Sequence, residues 1–201
     1  ILNSKGDAIG SGFYACSTDE SVCAVVTNSH VARLSLADKS VYLVQGDKVS
    51  LGKVVKEKDT VNDLALIEVD TKTPVQQGAG PIELKPVEFA DVKKDDAVFS
   101  SCYPTLGMKE VAINSGKVMK TDERLLVATG TPMLSPPSIV SDQVIIGGCS
   151  GGANFNAEGK LIGIMRASGS EGTIIIKPKH AIQLLEEFKE KKALEAQNPS
   201  K

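Results

Sequence analysis

The segment GGCSGGANFN, residues 147–156, places four glycines around two adjacent nucleophile candidates, Cys149 and Ser150. Glycine adopts left-handed backbone conformations without a steric cost, so such a cluster indicates an unusual backbone path. A path of this kind can turn successive N–H groups toward one point, where they bind an anion. The segment therefore predicts a loop that presents one of these two side chains for attack.

The rest of the chain has the composition of an ordinary globular protein. It contains 201 residues, of which 41% are hydrophobic and 24% charged, enough for one sizeable core or two small ones. The formal net charge of −2 gives no electrostatic case for nucleic acid or an anionic membrane. No apolar run approaches the roughly 20 residues of a membrane-spanning helix. We therefore expect neither a nucleic-acid partner nor a membrane span in this chain, and no pattern specifies an oligomeric state.

Short runs of Val, Ile and Leu recur between turn residues and predict strands. Ten such runs are bounded by Gly, Asp, Asn or Pro, at residues 9–15, 24–27, 41–44, 49–55, 64–69, 97–101, 111–119, 125–128, 161–165 and 173–176. No long helical pattern separates them, which favours a sandwich or barrel over a βαβ fold. The Pro- and Gly-rich segment 69–89 is typical of a crossing between two β-subdomains, predicted at 1–80 and 81–178.

The C-terminal part, residues 179–201, carries a different pattern. Ile182, Leu185 and Phe188 recur every three residues and form the apolar stripe of an amphipathic helix, which a short tail follows. His180 opens this helix after Pro178, so we expect a first-turn or capping role for it and no chemistry.

The four cysteines at positions 16, 23, 102 and 149 bear on the redox compartment. Cys16 and Cys23 bracket a polar hairpin tip, where a disulfide is geometrically plausible and would indicate an oxidising compartment, periplasmic or extracellular. Two reduced thiols fit the same sequence equally well. No Cys-x-x-Cys pair and no cluster of histidines indicates a metal site.

Two motifs supply a base and an acid that could serve Ser150. His30 lies at a strand end in TNSHV (27–31), and Asp63 precedes an apolar strand in NDLALIEV (62–69). Taken alone, each residue has an ordinary structural explanation. A serine hydroxyl, however, attacks only when a base accepts its proton and a carboxylate holds that base in the right tautomer. The order His30, Asp63, Ser150 therefore predicts a catalytic triad.

These motifs resemble those of the trypsin-like serine proteases, and most closely those of the HtrA-type branch. Seven segments within residues 9–188 follow the order of that family: GSGF (10–13), TNSHV (27–31), NDLALIEV (62–69), CYPTLG (102–107), INSGKV (113–118), GCSGG (148–152) and LIGI (161–164). The resemblance implies an all-β fold of two packed, six-stranded antiparallel β-barrels, chymotrypsin-like, with a C-terminal α-helix. It also implies that protein or peptide substrates are cleaved without a metal or organic cofactor.

The same resemblance assigns a role to each site residue. His30 would be the general base, Asp63 the orienting acid and Ser150 the nucleophile that forms an acyl-enzyme. The backbone amides of Gly148 and Ser150 would form the oxyanion hole. We expect no PDZ-like domain in this chain, because only about a dozen residues follow the core of the terminal helix.

Cys149 is the first departure from the family pattern, which has Asp or Asn before the nucleophile. Trypsin uses that Asp to receive a freed Ile N-terminus, so we expect Ile1 to play no such activating part. Cys149 also resembles the cysteine nucleophile of picornavirus-type proteases, but two glycines follow Ser150 and favour Ser150 instead. Cys149 would then be a buried apolar residue or a disulfide partner of Cys102.

Arg166 is the second departure, at a position where the family has a small hydroxyl residue bonded to the triad carboxylate. An arginine there could pair with Asp63, reach an acidic substrate side chain, or lie solvated at the rim. By the same resemblance, Val144 would lie at the base of the specificity pocket, with Met165 and Ala167 beside it. No Asp marks a preference for Lys or Arg, so we expect an aliphatic residue before the scissile bond.

A catalytically inactive protein-binding module is the alternative from another functional class. In such a pseudoprotease the barrels would remain and the cleft would be occluded or misaligned. Cys149 and Arg166 are the two features of the sequence that favour it.

Overall fold

The structure is a computed structural model that describes residues 1–3, 6–35, 39–57, 62–74, 86–104, 110–127 and 133–197. The predicted crossing between the subdomains lies partly outside these residues, and the C-terminal tail after residue 197 lies wholly outside them.

The first unit is an antiparallel sheet with strand order β1-β2-β5-β4-β3. Its strands are β1 (Phe13–Cys16), β2 (Cys23–Thr27), β3 (Ser40–Gln45), β4 (Lys48–Glu57) and β5 (Ala65–Pro74), with the short helix α1 (Ser29–Ala32) after β2. Leu2 forms antiparallel bridges with Tyr42 and Ala8, so the first residues extend the sheet beyond β3. Among the described residues this unit contains five strands, where the sequence predicted six.

The second unit is a closed barrel of six antiparallel strands, in the order β10-β13-β12-β11-β6-β7. Its strands are β6 (Ala97–Cys102), β7 (Ala112–Glu123), β10 (Ser138–Ser141), β11 (Ala153–Phe155), β12 (Leu161–Gly169) and β13 (Gly172–Ile176). The two-stranded hairpin of β8 (Leu126–Val127) and β9 (Met133–Leu134) lies between β7 and β10 in the chain. This barrel has the predicted six strands.

One apolar core joins the two units and the C-terminal helix. Helix α2 (Pro178–Gln197) buries Leu184, Leu185 and Phe188 in a cluster that includes Leu66 of the first unit and Ile164 of the second. Each fully buried aliphatic side chain of this kind contributes about 1.5–3 kcal/mol to stability. The helix therefore packs against both units at once.

The all-β, chymotrypsin-like fold class with a C-terminal helix is confirmed. The second unit is a closed barrel, whereas the described residues of the first unit form an open sheet that the bridges of Leu2 extend at one edge. No helix in the described ranges is both long and apolar enough to span a bilayer.

Candidate active site

His30 is positioned by the end of β2 and by helix α1. Asn28 is the N-cap residue of α1, and its side-chain Nδ2 donates to the backbone carbonyl of Asp63 at 3.1 Å. The backbone N–H of His30 donates to Asp63 Oδ1 at 3.0 Å. Two hydrogen bonds besides that of the imidazole therefore fix the start of this helix against the segment that carries Asp63.

The imidazole of His30 makes the central contact of the site. Its Nδ1 lies 2.8 Å from Asp63 Oδ2. A carboxylate only accepts hydrogen bonds, so Nδ1 carries the proton in this pair and Nε2 is left as the basic nitrogen. The side chain of His30 is 31% exposed while that of Asp63 is 6% exposed, so the imidazole reaches the surface and the carboxylate lies behind it.

Asp63 adopts a left-handed backbone conformation, with φ at 50°. Apart from glycine, Asn and Asp, residues rarely adopt this conformation. Such positions concentrate at functional sites. The conformation lies immediately before Leu64 and β5, so it turns the carboxylate out of the strand direction toward α1.

Arg166 is buried against the same carboxylate. Its Nε lies 3.3 Å from Asp63 Oδ2, and its side chain is only 1% exposed. The pairing of β12 with β13 shifts register between Met165 and Ala167, so Arg166 is the extra residue of a β-bulge. Burial lowers the pKa of the Arg166 guanidinium, and the negative charge of Asp63 partly offsets this effect.

Of the three placements considered for Arg166, the observed one is the pair with Asp63. A solvated arginine at the rim does not fit a side chain that is 1% exposed. The Asp63 carboxylate therefore contacts both the imidazole of His30 and a buried guanidinium.

The glycine-rich segment, residues 147–152, is called the nucleophile loop below. Gly148 and Gly151 have φ angles of 91° and 83°, which only glycine adopts freely. A Cβ on Gly151 would also collide with the carbonyl of Ser11 and the hydroxyl of Thr27. The sequence prediction of an unusual backbone path at this loop is therefore confirmed at these two glycines.

Ser150 lies in this loop with its hydroxyl turned toward β12. Its Oγ donates to the backbone carbonyl of Arg166 at 3.3 Å. Arg166 thus contacts Ser150 through its backbone and Asp63 through its side chain. The backbone N–H groups of Gly148 and Ser150 have no hydrogen-bond acceptor within the described parts of the chain.

Two disulfides account for all four cysteines. Cys102 is bonded to Cys149, and Cys16 is bonded to Cys23 across the paired ends of β1 and β2. The sulfur of Cys149 is therefore not available as a thiolate, and its side chain is fully buried. A cysteine nucleophile at this position is incompatible with the disulfide-bonded structure.

The residues expected at the specificity pocket lie in different environments. Val144 is 81% exposed, so it does not form the floor of a pocket in this structure. Met165 is fully buried in a cluster with the Cys102–Cys149 disulfide. Only Ala167 is half-buried, as a residue bordering a substrate groove would be. Val144 lies three residues before the nucleophile loop, where no strand or helix constrains its side chain.

Ser11 is a residue of the site that sequence reasoning missed. It bonds directly to the nucleophile loop, with its N–H donating to the carbonyl of Ser150 at 2.8 Å. The GSGF segment (10–13) supports the family resemblance, but nothing in its local sequence marks the serine between the two glycines as a site residue. His180 lies in the first turn of α2. No group of His, Cys, Asp and Glu in the described ranges is arranged to hold a metal ion.

Comparison with known proteins assigns the chain to a family. The sequence profile of the trypsin-like peptidase domain matches residues 10–164, well over half of the chain. No curated protein sequence matches the chain significantly.

Solved structures of bacterial proteases share the fold. The active form of the Rv3671c protease from M. tuberculosis is 22% identical, with 88% of this chain and 72% of that one covered and a TM-score of 0.63. The MamO protease domain from Magnetospirillum magneticum is 21% identical, with 88% and 84% covered and a TM-score of 0.61. The HtrA-type protease AlgW is 21% identical, with 94% and 50% covered and a TM-score of 0.64.

At this level of identity the structural likeness shows the fold, and the sequence profile shows the family. HtrA-type proteases are among the structures that share the fold, in agreement with the predicted resemblance. The chain therefore belongs to the family of trypsin-like peptidase domains and is a serine protease.

Proposed function

We propose that this protease is an endopeptidase that cleaves protein or peptide substrates through an acyl-enzyme on Ser150. His30 acts as the general base and Asp63 as the acid that orients it. The observation that carries the proposal is the 2.8 Å contact between His30 Nδ1 and Asp63 Oδ2, which leaves Nε2 as a proton acceptor facing the cleft. This is the arrangement that a serine nucleophile requires.

In the proposed reaction Ser150 Oγ attacks the carbonyl carbon of the scissile bond while its proton passes to His30 Nε2. The hydroxyl first rotates away from the carbonyl of Arg166, to which it donates at rest. The N–H groups of Gly148 and Ser150, which have no other partner in the described residues, would bind the oxyanion. His30 then returns the proton to the leaving amine, and water hydrolyses the acyl-enzyme by the same steps.

The proposed substrate carries an aliphatic residue before the scissile bond. Two exposed apolar side chains, Val144 and Ile146, precede the nucleophile loop, and they favour an apolar partner. Arg166 would have to leave Asp63 to reach an acidic side chain of the substrate. That movement would break a buried ion pair, which is energetically costly. An acidic preference is therefore the less favourable specificity.

Labelling with a fluorophosphonate, followed by mass spectrometry to locate the adduct, tests the proposal. The probe reacts appreciably only with a hydroxyl that is activated by a base and an oxyanion hole. We expect one adduct on Ser150, and Ser150→Ala to lower peptide cleavage by about 10⁶-fold with little change in melting temperature. Ser170→Ala, at an exposed serine of the β12–β13 turn, is the matched control and should keep full activity.

Two results would contradict the proposal in different ways. Cleavage that survives in Ser150→Ala would show that another nucleophile carries the reaction. A folded wild-type protein that takes up no label would favour the inactive protein-binding module.

A further inference from the structure

Two carbonyl groups of the nucleophile loop are held by one residue of the first unit. The backbone N–H of Ser11 donates to the carbonyl of Ser150 at 2.8 Å. The hydroxyl of Ser11 donates to the carbonyl of Gly148 at 2.9 Å, across a sequence separation of 137 residues. Ser11 therefore binds the loop at alternate residues, on both sides of Cys149.

Ser11 is itself fixed from two further directions. Its Oγ accepts a hydrogen bond from the N–H of Tyr103 at 2.9 Å, and its carbonyl accepts one from Thr27 Oγ1 at 2.7 Å. The residue is 2% exposed, so water does not replace these partners. Tyr103 follows Cys102, whose disulfide with Cys149 ties the same two segments covalently. Ser11 is thus a fixed point to which the nucleophile loop is attached.

Each peptide unit is planar, and its C=O and N–H point in opposite directions. The bonds from Ser11 to alternate carbonyls therefore also determine where the N–H groups of the same peptide units point. Where Ser11 holds the carbonyls of Gly148 and Ser150, the N–H groups of the same peptide units belong to Cys149 and Gly151. Those two are already used, donating to the carbonyls of Ile146 at 3.4 Å and Met165 at 2.9 Å.

Two other peptide units remain available, one immediately before the Gly148–Cys149 unit and one between the two units that Ser11 holds. Their N–H groups belong to Gly148 and Ser150, and neither donates to any group in the described residues. In the two peptide units that Ser11 holds, the N–H groups donate to other carbonyls of the protein. The N–H groups of Gly148 and Ser150 are left to bind a ligand. A flip of the Gly148–Cys149 unit would break the bond to the Ser11 hydroxyl first.

We propose that Ser11 is a positioning residue that holds the nucleophile loop in the shape in which the amides of Gly148 and Ser150 can bind an oxyanion. The inference rests on the proposed function, in which those amides stabilise the developing charge. Ser11 does not touch the reacting atoms in this scheme. Its hydroxyl acts by fixing the Gly148 carbonyl, so its loss slows the chemical step and leaves substrate binding largely intact.

Ser11→Ala tests the inference against Ser17→Ala as a matched control. Ser17 is also 2% exposed, and its hydroxyl also has both roles: it donates to Asp19 Oδ1 at 2.9 Å and accepts from the N–H of Val22 at 3.2 Å. It lies in the hairpin between β1 and β2, outside the site. The two variants lose similar hydrogen bonds, so we expect similar falls in melting temperature.

The kinetics should separate the two variants. In Ser11→Ala we expect kcat for a short peptide substrate and the rate of fluorophosphonate labelling to fall about 10-fold to 100-fold, with KM nearly unchanged. Ser17→Ala should retain the wild-type rate at a temperature where both variants are folded. Thr27→Val, which is isosteric and removes only the hydroxyl that holds the Ser11 carbonyl, should give a smaller loss in the same direction.

The outcomes distinguish this inference from the proposed function. Labelled wild-type protein together with Ser11→Ala and Thr27→Val variants that react as fast as Ser17→Ala would overturn the role of Ser11 alone. Wild-type protein that takes up no label on Ser150 would overturn the proposed function and this inference together. If Ser11→Ala does not fold, an unchanged kcat in Thr27→Val still decides against the inference.

Discussion

Two loops of this protein are built from the same chemical parts and differ in what those parts connect. The hairpin tip, residues 16–23, and the nucleophile loop, residues 147–152, each contain a disulfide cysteine and each depend on a buried serine. Ser17 serves the hairpin tip and Ser11 serves the nucleophile loop, each with one hydroxyl that both donates and accepts.

The difference lies in how far along the chain these contacts reach. The disulfide of the hairpin tip joins residues 7 apart, and Ser17 bonds to groups two and five residues away. The disulfide of the nucleophile loop joins residues 47 apart, and Ser11 bonds to groups 92 and 137 residues away. The polar long-range contacts of the tip run to half-buried side chains of α2, Lys189 and Glu186, and ion pairs near the surface contribute little.

Local contacts stabilise a hairpin that the turn and the strand pairing already specify. Long-range contacts instead decide how one unit is oriented on the other, which is what a site between two units requires. The comparison indicates that disruption of the hairpin tip affects stability alone, while disruption of the nucleophile loop affects stability and catalysis together.

The largest expected effect comes from removing the disulfide of the nucleophile loop. In the chain-entropy description a 47-residue closed loop corresponds to about 4 kcal/mol of stability, so Cys102→Ala with Cys149→Ala should lower the free energy of unfolding by about that amount. We also expect the rate of fluorophosphonate labelling of the folded variant to fall by about 10-fold or more, since Cys149 adjoins Ser150. Urea unfolding and labelling kinetics measure the two effects. A lower stability with an unchanged labelling rate would refute the link between this disulfide and catalysis.

Removing the disulfide of the hairpin tip should have a smaller and purely structural effect. A 7-residue loop corresponds to about 2 kcal/mol in the same description, so Cys16→Ala with Cys23→Ala should cost about half as much stability. The labelling rate at 25 °C should match that of the wild type, because no hydrogen bond within the described residues joins the hairpin tip to the nucleophile loop. A clear fall in the labelling rate would show that the comparison between the loops is wrong.

The strand pattern of the chain predicted most of the fold, and the strands that it missed were missed for a physical reason. All ten predicted strands coincide with or overlap observed ones within the described residues. The missed strands include β10 (Ser138–Ser141) and β11 (Ala153–Phe155), which are four and three residues long. Every residue of β10 is buried, including its serines, so no alternation of polar and apolar residues marks it.

The sequence predicted candidate site residues only where the proposed reaction itself requires a particular type of side chain. His30, Asp63 and Ser150 were predicted because a triad needs those side chain types in some order. The pairing of Arg166 with Asp63 depends on a β-bulge, and a register shift of one residue leaves no trace in the sequence pattern. Ser11 acts through its hydroxyl and backbone on a residue 137 positions away, a separation that no local pattern encodes.

The smallest expected effect concerns the acid dependence of the hairpin tip. Hydrogen bonds from Ser21, Lys189 and Ser17 hold the pKa of Asp19 well below its usual range near 3.9. A lowered pKa in the folded state means that the ionised carboxylate stabilises the protein at neutral pH, and that this stabilisation is lost as the pH falls below about 4.

Asp19→Asn should therefore melt slightly below the wild type at pH 7 and at nearly the same temperature in strong acid, where Asp19 is protonated in both the folded and the unfolded state. Thermal unfolding of both proteins across this range measures the difference, and the labelling rate at pH 7 should be the same for both. A difference in melting temperature that persists unchanged in acid would mean that the charge of Asp19 is not what holds the tip. Since Asp19 is exposed, its contacts are also screened by salt, and the difference at pH 7 should shrink as ionic strength rises. The bonds of the buried Ser11 should show no such dependence, because they join uncharged groups away from water.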